Sequence, residues 1–118
     1  MTMSQMITKS DLEDMFKNIL DSSGWDISGD MLWGYFFESP SDKSLEDLAK
    51  QLVADDYDLV NIYQIEPEDD NHEVWILHVE KIERHSVDSL YERNALLYNL
   101  AQKCPEVKYD GMDVGPIL

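Results

Sequence analysis

Cysteine and long apolar runs are the scarcest features of this sequence. Among 118 residues there is one cysteine, Cys104, so an internal disulfide framework is excluded and a reducing compartment is favoured. No apolar stretch approaches the roughly 20 residues that cross a bilayer, and the opening residues lack the basic and apolar segments of a secretion signal. We therefore expect a cytoplasmic protein that does not bind a membrane.

Basic residues are also few: 9 Lys and Arg stand against 25 Asp and Glu, which gives a formal net charge of -16. A surface with this field repels phosphate backbones, because nucleic-acid binding depends on basic side chains that displace counterions. The composition therefore disfavours direct binding of RNA or DNA and favours a basic protein partner. Acidity that serves solubility alone is the alternative interpretation.

Motifs that carry catalysis or hold a cofactor are absent too. The sequence has no Gly-x-Ser-x-Gly, no phosphate-cradling glycine loop and no His-Glu-x-x-His. Cys104 follows a helix, whereas thiolates are activated at helix N-termini. His72 and His78 lie roughly 20 Å apart on one strand, so they cannot share a metal, and His78 with Glu80 is expected to be an ordinary polar pair. We predict no catalytic residues, no cofactor and no metal, and hence no enzyme.

Apolar spacing predicts three helices and four strands. An amphipathic helix begins at Ser10, and Ser44 and Ser86 are predicted N-caps of two more helices. The last of these helices should bury Leu90, Leu97, Leu100 and Ala101, with Asn94 as a polar exception. Strands are predicted in the segments MLWGYFF, YDLVNIYQI, HEVWILHVEKI and VKYDGMDVGPI.

The predicted order defines an α+β fold. After an N-terminal amphipathic helix and linker in residues 1–30, residues 31–118 read as βαββαβ, the ferredoxin-like arrangement. Right-handed crossovers place two helices on one face of a four-stranded antiparallel sheet. The other face is exposed, covered by the N-terminal helix or buried in a homodimer. Gly111 suggests a bulge or a close approach in the last strand, and Pro116, which cannot donate to a ladder, places that strand at a sheet edge.

Acidic residues are concentrated in the middle of the chain. From Glu38 to Glu73 there are 12 Asp or Glu and 2 Lys, a net charge of -10. Acidic residues at a helix C-terminus oppose the helix dipole, so a docking role is one reason for their presence. We predict that this segment binds a partner through seven residues: Glu46, Asp47, Asp55, Asp56, Glu68, Asp69 and Asp70.

Residues 31–118 resemble the family of the regulator of ribonuclease E activity B, the RraB-type domain. The resemblance rests on the segments LWGYFFESPSD, WILHVEKIERHSVDSLYERNALLYNLAQ and KYDGMDVG. The Tyr-Asp-Gly-Trp signature of the family is matched by Tyr109, Asp110 and Gly111, with Met112 where Trp is expected. The long acidic C-terminal tail of the best-known members is not found in this sequence, and the N-terminal helix is additional.

The resemblance implies a ferredoxin-like, non-enzymatic domain. The best-known member binds the noncatalytic region of the endoribonuclease RNase E and inhibits RNA cleavage. We therefore expect an acidic inhibitory module that binds RNase E or another nuclease. Two alternatives stay open: an immunity-type protein that neutralises a basic toxin nuclease, and a ferredoxin-like dimer with a small-molecule pocket.

Overall fold

The computed structural model describes residues 7–25, 29–65, 74–104 and 106–117. Its three helices and four strands occur in the predicted order, so the α+β fold class is confirmed. The elements are α1 (Lys9–Ser23), β1 (Met31–Ser39), α2 (Asp42–Ala54), β2 (Asp58–Ile65), β3 (Val74–Glu83), α3 (Val87–Gln102) and β4 (Lys108–Gly115).

The strands form one antiparallel sheet in the order β2-β3-β1-β4. This order fits the ferredoxin-like arrangement, because each crossover helix joins two strands that are separated by another strand. β4 lies at one edge, as predicted, and β2 lies at the other. A bulge interrupts each edge pairing: Asp110 is the extra residue in β4 and Val60 the extra residue in β2.

One face of the sheet carries the core. β1 presents Trp33, Tyr35 and Phe37 to the helices, and all three are fully buried. Alternate residues of a strand point to the same face, so the odd-numbered positions of β1 form this inward row. The helices supply buried residues opposite the sheet: Leu45, Leu48, Ala49 and Leu52 from α2, and Leu90, Asn94, Leu97 and Ala101 from α3.

The predicted buried stripe of α3 is confirmed at four of its positions. Leu90, Leu97 and Ala101 are buried, and Asn94 is buried among them as the polar exception. Leu100 is only partly buried, at the margin of the core. Spacing of three and four residues places one side of a helix against the sheet, which is why the pattern was readable from sequence.

The N-terminal helix packs on the same side of the sheet as α2 and α3. α1 contacts α3, and Leu12 is 1% exposed within the core. The ring of Phe16 lies 6.5 Å from the ring of Trp33, which points to the helix side. α1 therefore does not cover the opposite face of the sheet. The division into residues 1–30 and residues 31–118 stays a prediction.

Two of the predicted helix caps were wrong by two or three residues. The N-cap of α1 is Thr8, not Ser10, and it forms a capping box with Asp11. The N-cap of α2 is Ser41, whose side chain accepts a hydrogen bond from the backbone N–H of Ser44. Both helices begin in polar residues ahead of their apolar stripes, and an apolar pattern does not mark such a start.

The predicted N-cap of α3, Ser86, is confirmed, with Asp88 in the first turn. Of the helices within the described ranges, none has both the length and the apolar character needed to cross a membrane.

Candidate functional site

The seven acidic residues predicted to bind a partner fall in different places. Glu46 and Asp47 are exposed on α2, and Asp55 and Asp56 are exposed in the turn between α2 and β2. The other three lie outside the described residues: Glu68, Asp69 and Asp70.

The backbone conformation of the turn after α2 explains why an acidic residue is suitable at one of these positions. Asp56 has a φ of 73°, in the left-handed region that Asp and Asn tolerate better than most residues. Asp55 caps α2, and its backbone oxygen accepts a hydrogen bond from Lys81 Nζ at 3.3 Å. That bond is made to the backbone of Asp55 and not to its carboxylate.

A groove of about 370 Å³ runs between α2 and β2. Its lining is mostly apolar, with one acidic and one basic side chain: Glu46, Ala49, Lys50, Val53, Leu59 and Ile62. The groove is open to solvent. A closed apolar pocket with convergent polar groups would favour the small-molecule dimer, and this open groove is not a pocket of that kind.

The structure separates two acids that are adjacent in sequence. Glu46 lines the groove. Asp47 lies towards Cys104, where burial first and then the Asp47 charge raise the pKa of the thiol. The turn that carries Asp55 and Asp56 joins the two walls of the groove.

We call Glu46, Asp55, Asp56 and Asp58 the acidic rim. Asp58 is exposed at the start of β2 and was not among the predicted residues. Within the part of the chain that the structure describes, no Lys, Arg or His nitrogen lies within 4.0 Å of a rim carboxylate. The rim therefore presents four carboxylates without an ion pair, beside a mostly apolar groove that Lys50 also lines.

The signature tyrosine is part of the core. Tyr109 is 4% exposed, and its hydroxyl donates a hydrogen bond to Asn94 Oδ1. Asn94 Nδ2 in turn donates to the backbone oxygen of Leu90 at 2.9 Å and to Met112 Sδ at 3.1 Å. Burial raises the pKa of Tyr109, so the hydroxyl remains a donor at neutral pH. Met112, which stands where the resemblance leads us to expect Trp, thus takes part in the same network.

The other two signature residues form the bulge of β4. Asp110 is the extra residue and is exposed. Partial burial and the neighbouring Glu38 raise the pKa of Asp110, while Lys108 opposes them. Gly111 has a φ of 126°, which side chains with a Cβ rarely adopt, although no atom would lie within 4 Å of such a Cβ. The backbone conformation, and not a lack of space, requires glycine there.

Comparison with protein families gives a match that covers most of the chain. The sequence profile described as Regulator of ribonuclease activity B, RraB, matches residues 10–114. This span begins in α1 and ends in β4, and so includes the groove, the rim and the signature.

The chain belongs to the RraB family. Comparison with curated proteins found no match. Membership in the RraB family supports a role as a regulator of ribonuclease activity in general. The matched span also includes α1 from residue 10 onward, whereas the resemblance seen in the sequence began at residue 31.

This RraB chain also contains a buried polar cluster that sequence reasoning missed. We call Tyr35, Glu83, His85 and Arg93 the polar cluster. The Tyr35 hydroxyl donates to Glu83 Oε2 at 2.6 Å, and Arg93 Nη1 donates to the same oxygen at 2.6 Å. His85 Nε2 lies 3.0 Å from it as well. The cluster joins β1, β3 and α3.

The polar cluster keeps a carboxylate charged inside the protein. Burial would raise the pKa of Glu83, but its contacts with His85, Tyr35 and Arg93 outweigh burial and lower the pKa to about 2. Strand parity could have revealed the cluster, because Glu83 shares the inward parity of Val79 on β3. Arg93 likewise lies three residues after a buried leucine of α3.

The face of the sheet opposite the helices carries a smaller polar group. The rings of Phe36 and His78 stack with centroids 4.3 Å apart, and His78 Nε2 lies 3.7 Å from Glu80 Oε2. This is the polar pair predicted from sequence. His72 lies outside the described residues. Among those described, no group of three or more His, Cys, Asp or Glu side chains could hold a metal ion.

Proposed function

We propose that this RraB family member regulates a ribonuclease by binding it as a non-enzymatic module, with the acidic rim turned towards a basic region of the enzyme. The family match over residues 10–114 carries the proposal. The partner that we propose is the noncatalytic region of RNase E, and the proposed effect is inhibition of RNA cleavage.

Electrostatics supports a protein partner over RNA itself. The net charge of -16 repels a phosphate backbone at long range and attracts a basic polypeptide. Among the described residues, no carboxylate of the acidic rim forms an ion pair, although Lys50 lines the groove and Lys81 binds the Asp55 backbone. An approaching Lys or Arg can therefore form ion pairs that the free protein lacks. Asp47 and residues 68–70 are predicted to add to this attraction.

The groove provides an apolar surface that can add binding affinity beyond what charge alone gives. Exposed ion pairs contribute little affinity, whereas apolar anchors that fill a pocket contribute most of it. Ala49, Val53, Leu59 and Ile62 line such a pocket directly beside the rim. We therefore propose that charge sets the association rate and that the groove sets the lifetime of the complex.

The cytoplasm is the proposed location. A single cysteine, partly buried at the end of α3, suits a reducing compartment. RNA cleavage by the proposed partner would be regulated in the same compartment.

An RNA cleavage assay tests the proposal. Cleavage is measured with full-length RNase E and with a catalytic fragment that lacks the noncatalytic region. We expect the protein to slow cleavage by the full-length enzyme and to leave the catalytic fragment unaffected. Failure to slow the full-length enzyme, or equal inhibition of both, would contradict the proposal.

A pair of neighbouring substitutions sharpens this assay. Glu46→Gln removes a rim charge beside the groove, whereas Asp47→Asn removes one that lies towards Cys104. Each changes the net charge by the same amount on the same helix. We expect Glu46→Gln to weaken inhibition more than Asp47→Asn, and the reverse order would argue against the rim.

A further inference from the structure

The two edges of the sheet are protected to different degrees. Edge strands present unpaired backbone N–H and C=O groups, and proteins block them with charges, bulges or covering segments. β4 has charged residues along its length: Lys108, Asp110 and Asp113. β2 has a charged residue only at its first position, Asp58, and its next seven residues read LVNIYQI.

Apolar side chains are exposed on both sides of β2. Leu59 and Ile62 pair with Val79 and Leu77, which point to the helices, so these two face the groove. Tyr63 pairs with Ile76 and faces the opposite side. Leu59, Val60, Tyr63 and Ile65 are 36% to 49% exposed, as is Val53 at the end of α2. An exposed apolar patch on an edge strand is typical of an interaction site.

The outer edge of β2 is accessible in the described structure. Within the described ranges, no strand pairs with that edge. The bulge at Val60 lies near the start of β2, and the pairing with β3 runs without interruption from Asn61 to Ile65. A stretch of five residues in regular strand geometry can pair with a further strand.

The charge around this edge selects the kind of segment that fits. Asp55, Asp56 and Asp58 lie at the start of β2, and Glu46 lies beside the groove. A second copy of the chain carries the same net charge of -16, so like charges oppose pairing of two β2 edges. A segment with Lys or Arg next to alternating apolar residues meets both the rim and the groove.

We infer that β2 accepts an extended segment of the ribonuclease partner as a fifth strand of the sheet. Every second side chain of that segment is apolar and enters the α2–β2 groove, and its flanking basic residues contact the acidic rim. The backbone of the segment hydrogen-bonds to the outer edge of β2. This inference rests on the proposed function and specifies how the same surface binds.

Amide hydrogen exchange of the full chain tests this binding mode. Two probes are used: the noncatalytic region of RNase E, and a synthetic peptide of alternating Val and Thr with lysines at both ends. Each probe should slow exchange in Asp58–Ile65 and leave Lys108–Gly115 at the other edge unchanged. A peptide with Pro in place of two Val residues serves as the control and should protect neither strand.

The outcomes separate the binding mode from the proposed function. Binding of the RNase E region without slower exchange in β2 overturns the fifth-strand inference and leaves the proposed function standing. Protection of β2 by the peptide alone supports the fifth strand and contradicts the RNase E assignment. If exchange in β2 slows as the protein concentration rises without any probe, and the mass in solution doubles, a second copy of the chain occupies the edge. That result overturns the inference.

Matched substitutions give a second readout. Leu59→Glu places a charge in the edge strand, and Leu96→Glu makes the same change on α3, where the side chain is 57% exposed against 49% for Leu59. Because Leu59→Glu adds negative charge, weaker binding cannot come from lost attraction. We expect the Kd for the RNase E region to rise by about tenfold for Leu59→Glu and to stay unchanged for Leu96→Glu. Equal effects of the two changes would overturn the inference.

Discussion

The hydroxyl of Tyr109 on β4 donates a hydrogen bond to Asn94 Oδ1 on α3, and both residues are buried. The bond joins the signature strand to the helix that packs on it. Because each residue supplies the partner that the other needs, losing one leaves a buried polar atom unsatisfied.

Tyr109→Phe should therefore lower the free energy of unfolding by about 1 to 3 kcal/mol. Combining it with Asn94→Leu removes both polar groups, so the double variant should lose less than the sum of the two single losses. Denaturant unfolding of all four proteins measures this coupling. Strictly additive losses would show that the two side chains do not depend on each other.

Leu97→Ala should remove a fully buried side chain from the core. We expect a loss of about 2 to 5 kcal/mol in the free energy of unfolding, because the cavity adds to the lost transfer energy. Leu96 is the matched control, since it precedes Leu97 on α3 and is 57% exposed. Leu96→Ala should change stability by less than about 0.5 kcal/mol. Similar losses for both would mean that the helix face is assigned incorrectly.

Gly111→Val should destabilise the fold through its backbone. A φ of 126° costs a residue with a Cβ on the order of 1 to 3 kcal/mol, even though the space around it is open. Gly115→Val is the control, because that glycine has equally open space without a positive φ. The melting temperature should fall for Gly111→Val only. A variant that keeps its melting temperature but loses binding would show that the signature is an interface.

The pKa of Glu83 predicts a specific dependence on pH. It is lowered from 4.5 to about 2 in the folded protein, so the charged polar cluster stabilises the fold above pH 4.5. The stabilisation is lost as the pH falls from there through about 2, and it corresponds to about 3 kcal/mol. Urea unfolding from pH 2 to pH 7 should show this step in the wild type and not in Glu83→Gln. Glu92→Gln, an exposed change, should keep the wild-type profile; parallel profiles for all three would contradict the assignment.

The parts of the fold that depend on local periodicity could be predicted from the sequence. The stripe through Leu90 and Leu97 follows from helical spacing, and Gly111 indicated the bulge in β4. The edge position of β4 was predicted from Pro116, which lies directly after the strand. The caps of α1 and α2 were misplaced because more than one Ser or Thr near each start is a favourable N-cap residue. The local sequence alone does not show which of these residues is the N-cap.

The parts of the site that depend on distant contacts could not be predicted. Tyr35 and Glu83 are 48 residues apart in the chain, and nothing in their local sequence pairs them. The groove requires the position of α2 relative to β2, and β2 is mostly exposed because it lies at an edge. Alternating apolar residues predicted a strand there but did not show which strand would lie outermost.

Binding kinetics against the immobilised noncatalytic region of RNase E test the central claim, which is that the acidic rim steers this partner. The Debye length falls from about 10 Å at 0.1 M salt to about 3 Å at 1 M, so the association rate of the wild type should drop sharply between these conditions. Two variants that each lose four charges are compared. The rim variant carries Glu46→Gln, Asp55→Asn, Asp56→Asn and Asp58→Asn. The control variant carries Glu13→Gln, Asp14→Asn, Asp21→Asn and Glu92→Gln, all at exposed positions of α1 and α3.

The account predicts that at low salt the rim variant associates about tenfold more slowly than the wild type, while the control variant stays within about twofold. Circular dichroism should show all three proteins equally folded, because exposed charges contribute little to stability. No measurable binding of the wild type at low salt would contradict the ribonuclease assignment. Equal slowing of the two variants, or rates insensitive to salt, would contradict steering by the acidic rim.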